Sequence, residues 1–204
     1  MSCIITISRE YGAGGHSIGR RVAEELGIEF YDRDIIRSAA RDSGLDAGTI
    51  EHEDEEISRA DAFWRMITPA AYVDRRDEIH DIERGAILMF AHKGPCVILG
   101  RCADVILDQA GIDCLNVFIY ADDIHRAARV GELIGSKNPS EIQKAMKRTD
   151  NARRSYYQHY AGKHWGVSAN YNLALDSGML GYDACVKLIC EAARSIGAQD
   201  GVKA

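Results

Sequence analysis

The stretch Ile4-Ile5-Thr6-Ile7-Ser8-Arg9-Glu10-Tyr11-Gly12-Ala13-Gly14-Gly15-His16-Ser17 decides the fold. Its β-branched start reads as a buried strand, and the strand empties into a glycine-rich run. From residue 17 onward Ile18, Val22, Ala23 and Leu26 recur at helical spacing, with Arg20, Arg21, Glu24 and Glu25 on the other face and Gly27 placed to end the helix. The unit is strand, glycine loop, helix. Glycines let backbone N–H groups converge on an anion, and the following helix adds its unpaired donors and its dipole. A tight turn also needs glycine, so the loop taken alone leaves two readings open. Its place directly between strand and helix favours a phosphate site.

Outward from this unit, Ile28-Glu29-Phe30-Tyr31 reads as a second strand, and Asp32 can cap a helix over residues 33–40. The run at 51–56, Glu-His-Glu-Asp-Glu-Glu, reads as a solvated helix face or loop. Between residues 60 and 91 apolar positions such as Ile79, Ile82, Ile87 and Leu88 keep helical spacing, and Pro69 is expected to divide the region into two helices. Val97-Ile98-Leu99 and Val117-Phe118-Ile119 are continuous apolar runs, as in strands covered on both faces. Helices are expected over 103–110, 122–133, 139–160 and 182–196, with a last strand at Asn172-Leu173-Ala174-Leu175. Strands alternating with helices predict a parallel five-stranded sheet between two helical layers, in one domain over 1–204.

Composition narrows the function. The 204 residues are 46% hydrophobic and 27% charged, and 25 Lys and Arg against 31 Asp and Glu leave a formal charge of −6. That sign opposes bulk nucleic-acid binding, so a polyanion would have to be met by local basic clusters. No apolar run approaches a membrane span and the N-terminus lacks the features of a signal peptide, so no membrane partner and a cytoplasmic setting are expected. The six cysteines form no Cys-x-x-Cys pair and no zinc-finger spacing with the seven histidines, so reduced, buried thiols are expected.

With these residues in view the chain resembles the P-loop nucleoside monophosphate kinases, and among them the cytidylate kinase-like family. Gly12, Ala13, Gly14, Gly15, His16 and Ser17 lie where that family carries its phosphate loop, and Phe30-Tyr31-Asp32 with Arg37 resembles its monophosphate segment. Gly100-Arg101-Cys102-Ala103-Asp104 resembles the Gly-Arg-Asp block after the third strand. Arg126 and Arg129, then Arg148-Thr149-Asp150-Asn151-Ala152-Arg153-Arg154, resemble the arginines of a helical lid, here about 126–163. Tyr156-Tyr157, Lys163-His164-Trp165 and Asn170-Tyr171-Asn172-Leu173 also look like this subgroup.

The resemblance implies a P-loop αβα sandwich and γ-phosphoryl transfer from ATP, with Mg²⁺ on Ser17, to a nucleoside monophosphate, CMP or dCMP. It implies catalytic roles for Arg9, Arg126, Arg129, Arg148 and Arg153, and acceptor contacts from Asp32, Arg37, Arg101, Asp104, Asp150 and Arg154. The partners implied are small-molecule nucleotides, and the oligomeric state is left open. Two departures bear on this. Gly15 stands where the loop lysine belongs, and Arg9 stands at the motif's first glycine. Arg9, His16, and Arg20 or Arg21 are the candidate substitutes, with Arg9 first because arginine stays charged and binds phosphate bidentately. Bland roles compete: a surface pair with Glu10 for Arg9, a helix cap for Ser17, a buried ion pair for Arg101, a solvated helix face for the 148–154 group. A nucleotide-binding regulatory protein without transfer, or a kinase for another small acceptor, are the alternative functions. Repulsion among the arginines of 126–154 is expected to hold the lid open until phosphates arrive.

Overall fold

The structure is a computed structural model that describes residues 3–42 and 69–200. Its element order is β1 (Ile4–Arg9), α1 (Gly15–Leu26), β2 (Glu29–Tyr31), α2 (Arg33–Asp42), α3 (Pro69–Lys93), β3 (Cys96–Leu99), α4 (Ala103–Gln109), β4 (Cys114–Tyr120), α5 (Asp123–Ile134), α6 (Pro139–Ala161), β5 (Leu173–Asp176) and α7 (Ser177–Asp200). All pairings are parallel, in the order β2-β3-β1-β4-β5.

The apolar runs became central strands because both of their faces are covered. Ile5, Ile7, Val97, Leu99, Val117 and Ile119 point to one side and pack with Ile18 and Val22 of α1 and Val186 and Ile189 of α7. Ile4 and Ile98 belong to the opposite layer, with Ile36, Ile87, Phe90, Ile106 and Leu107. β1 sits in the middle and runs two residues further than its apolar start, because Ser8 and Arg9 pair with Phe118 and Ile119 of the longer β4. Five of the six cysteines are buried, and burial pushes the thiols of Cys96 and Cys114 up to about 12.

Several boundaries differ from expectation for identifiable reasons. Pro69 opens α3, the position where its missing N–H costs nothing, and the part of the expected helical pair before it lies outside the described residues, as does the acidic run 51–56. α1 begins at Gly15, with Gly14 as its cap in the left-handed region (φ 76°), so Ser17 is inside the helix and does not cap it. In α7 the expected start at Tyr182 coincides with a break: Gly181 has non-helical φ 76°, ψ 162°, and residues 177–180 form a separate turn. No helix among the described residues is long and apolar enough to cross a membrane.

Candidate phosphate-binding site

The loop after β1 is held from beneath and from both sides. The Glu10 amide donates to the Ile119 carbonyl at 2.9 Å and the Tyr11 amide to Asp150 Oδ1 at 2.8 Å. Ala13 N–H closes a turn onto the Glu10 carbonyl at 3.2 Å, and Ser177 Oγ donates to the Ala13 carbonyl at 2.7 Å. Glycine is compulsory at two places. Gly12 (φ 85°) would bring a Cβ within 2.6 Å of the Arg126 carbonyl, and at Gly14 a Cβ would run into the Tyr182 ring. Among the described residues, the amides of Gly12, Gly14, Gly15, His16 and Ser17 donate to no protein acceptor, and the first turn of α1 carries no acidic side chain. Donors left unpaired at a helix start, on a loop held this firmly, form an anion site. The Ser17 hydroxyl is at the third position of α1 and makes no hydrogen bond among the described residues.

Arg9 lies beside the position where the loop lysine is absent. Gly15 has ordinary backbone angles, so the absence of a side chain there is a matter of packing: an added Cβ would lie 2.6 Å from Arg9 Cβ and 2.8 Å from Arg9 Cγ. The arginine stem therefore fills the volume beside the helix start that a residue-15 side chain would need. Its Nη1 reaches the spot that a Cβ of Gly100 would occupy, at the end of β3. Glu10 is turned elsewhere: it pairs with Arg126 Nη1 at 3.1 Å and accepts from Ala121 N–H at 3.3 Å. Burial raises the Glu10 carboxyl pKa above its ordinary value, against the pull of Arg126.

The lid arginines divide into three groups. Arg126, 6% exposed, donates through Nε to the Tyr11 carbonyl at 2.9 Å, pairs with Glu10, and is bound to Asp150 through Nη2. It is a buried clamp joining α5, α6 and the loop. Arg153 donates to the Arg9 carbonyl at 2.9 Å and lies over the Tyr11 ring at 5.8 Å. Arg129, paired with Glu132 at 2.8 Å, and Arg148 are exposed; Arg154 bonds Asn151 at 2.7 Å beside Trp165. The expected lid held open by repulsion is not what the structure has. Asp150 and Glu10 interleave with the cations, and α6 is docked on the loop.

On the other flank, Asp32 caps α2, accepting from the Asp34 and Ile35 amides at 3.1 Å each, and pairs with His16 at 3.2 Å. Gly100, Arg101 and Cys102 follow β3 with φ of 78°, 59° and 52°. Two consecutive non-glycine residues in the left-handed region cost about 1–2 kcal/mol each, so the turn is held by its side-chain contacts. Arg101 pairs with Glu83 at 2.8 Å, and Arg37 pairs with the same carboxylate at 3.3 Å. Asp104 is not at this edge: it is 5% exposed, accepts from Tyr157 Oη at 2.7 Å, and burial raises its pKa. Both Asp104 and Asp150 face protein partners, because a buried carboxylate needs donors close by.

Glu83 and Tyr182 were not among the residues singled out from sequence, and Tyr156 was named only within a family-like stretch, without a role. Glu83 had a legible signal: a carboxylate at i+4 from Ile79 and i−4 from Ile87, on an otherwise apolar stripe. Tyr182 had none, since only the fold brings it to Gly14. Among the described residues no three His, Cys, Asp or Glu side chains gather as a metal site.

Known proteins resemble this chain over most of its length. The model of the cytidylate kinase-like family matches residues 4–179. A cytidylate kinase of Aeropyrum pernix is 24% identical over 192 residues, covering 94% of this chain and 99% of that protein. An uncharacterized protein from Eubacterium ventriosum superposes with TM-score 0.73 at 24% identity, over 95% of this chain and 99% of the other. Shikimate kinase from Bacteroides thetaiotaomicron does so with TM-score 0.54 at 13% identity, over 94% and 98%. The αβα sandwich around the parallel sheet is thus the P-loop kinase fold.

Proposed function

The chain belongs to the cytidylate kinase-like family, and from that premise we propose that it transfers the γ-phosphoryl of ATP to a nucleoside monophosphate, CMP or dCMP, with Arg9 in place of the loop lysine. The observation that carries this reading is the course of the Arg9 side chain, from the start of α1 at Gly15 to the β3 turn at Gly100. A cation there lies between the free loop amides and the acceptor-side arginines, where charge shifts during an in-line transfer.

The chain's own residues divide the work. The amides of residues 14–17 hold the donor phosphates, and Arg9 supplies the fixed positive charge. Arg153, bonded to the Arg9 carbonyl, keeps the lid helix against the loop. Arg37 and Arg101 bind the acceptor's phosphate. Arg126 acts indirectly, by clamping the loop. The Ser17 hydroxyl, unengaged at the helix start, suits Mg²⁺, which keeps few protein ligands and takes the rest from phosphates and water. When bound, the ion neutralises charge between the β- and γ-phosphates.

The deciding experiment is coupled ATP consumption across CMP, dCMP, UMP, AMP and GMP, with and without Mg²⁺. Mg²⁺-dependent turnover with the cytidine nucleotides is expected. Nucleotide binding without turnover on any acceptor would replace this reading with that of a regulatory binder, and turnover only with a different small acceptor would keep the chemistry and change the substrate.

A further inference from the structure

A carboxylate inside an apolar helix stripe needs an explanation. Glu83 lies midway along α3, between Ile82 and the buried Ala86 and Ile87, and is 1% exposed. Its Oε1 meets Arg37 Nε at 3.3 Å and Arg101 Nη2 at 2.8 Å, and its Oε2 accepts from Tyr156 Oη at 3.2 Å. Three elements thereby converge on one carboxyl group: α2, the turn after β3, and the lid helix α6. The two guanidinium-bearing side chains keep 12% and 14% of their surface exposed, while the carboxylate keeps almost none. The arrangement thus offers cations outward and hides the anion that holds them.

Packing alone does not account for it. Burying a carboxylate is costly, and an apolar residue of similar volume would serve α3 at least as well. The two arginines are what the carboxylate serves. Like charges held close repel, and Arg37 shows it: burial first, then the neighbouring Arg101 and Arg33, lower its pKa. A single shared oxygen fixes both forks to one point despite that repulsion. Tyr156 completes the arrangement, its ring 5.3 Å from the Arg101 guanidinium and its hydroxyl on the second carboxylate oxygen.

Resting on the kinase reading above, we infer that Glu83 is a positioning residue, which presents Arg37 and Arg101 as one two-pronged receptor for the acceptor's phosphate dianion. Paired planar forks suit a phosphate's oxygens, and pre-orienting them spares their ordering on binding. Glu83 touches neither substrate, so its removal should weaken the acceptor and leave the donor alone.

The test combines steady-state kinetics with equilibrium titration of CMP and of ATP, on wild type, Glu83→Gln and Tyr156→Phe. Glu83→Gln is expected to raise KM and Kd for CMP at least about tenfold, with the values for ATP within about twofold, as the loss of a charged hydrogen-bonded anchor requires. Tyr156→Phe, which keeps the carboxylate and loses the hydroxyl's hydrogen bonds to Glu83 and to His80 Nδ1, is expected to raise the CMP values about three- to fivefold. Unchanged CMP values, or CMP and ATP values rising together, would overturn the inference. If Glu83→Gln does not fold, Tyr156→Phe decides alone by the same criteria. A wild-type protein that binds no nucleoside monophosphate would overturn the kinase reading and this inference with it, whereas wild-type binding matched by Glu83→Gln would overturn only this one.

Discussion

At the residue scale the proposed role of Arg9 in place of a loop lysine makes two quantitative demands. Arg9→Ala is expected to lower turnover on the order of a hundredfold, the size of effect seen when a fixed transition-state charge is removed, and kcat is the measurement that checks it. Gly15→Lys in the native background is expected not to raise ATP affinity. The new side chain would meet the Arg9 stem at 2.6–2.8 Å, and one of the two must be displaced. The obstacle is occupied volume rather than unusual backbone angles. Asp32 gives a prediction in pH. Burial would raise its pKa, but the Ile35 amide and His16, with the Asp34 amide, outweigh it and hold the carboxyl below the usual 3.8. A folded pKa below the unfolded one stabilises the protein above the unfolded value and loses that contribution as pH falls through the folded one. Asp32→Asn should therefore lower the urea midpoint at pH 6 and converge with wild type as pH falls below the usual carboxylate value of 3.8 and through the lower folded one, a comparison two denaturation curves settle.

At the scale of elements, α6 is the member that joins the two flanks of the site. Asp150 and Arg153 face the loop, while one to two turns later Tyr156, Tyr157 and Tyr160 give their hydroxyls to Glu83, Asp104 and Asp77. Spacings of three and four residues put all five on neighbouring faces of one helix. The helix is started by Asn138, whose side chain accepts from the Ser140 amide at 3.0 Å, with Pro139 at its first position. Asn138→Ala is expected to cost about 1 kcal/mol of stability, read as a lower urea midpoint. The same change should speed cleavage within 135–138, between α5 and α6, because a frayed first turn exposes that connection.

At the scale of the whole molecule, a net charge of −6 coexists with arginines gathered around the loop and the β3 turn because acidic partners are threaded among them. Glu10, Asp150 and Glu83 each take up arginine charge that would otherwise repel. Nucleotide phosphates then add ligands to a lid already docked. Saturating ATP and CMP together should raise the melting temperature more than either alone, since each ligand at about a hundred times its Kd contributes roughly 2.7 kcal/mol. Equal melting temperatures with one ligand and with both would count against two nucleotide sites.

The strand, loop and helix at the N-terminus could be read directly, because Ile4, Ile5 and Ile7, the glycines, and Ile18 and Val22 are local signals of local structure. The parallel sheet followed from the same logic at Val97 and Val117, and the family from motifs that span most of the chain. Partnerships could not be read that way. That Arg126 is a buried clamp, that Asp104 faces Tyr157, and that Arg37 and Arg101 meet on Glu83 depends on residues between 18 and 115 positions apart along the chain. Charge on a helix reads alike in sequence whether it meets solvent, a ligand or a buried carboxylate. Only the packed fold assigns each arginine its partner, because distance and burial determine what a charge is worth.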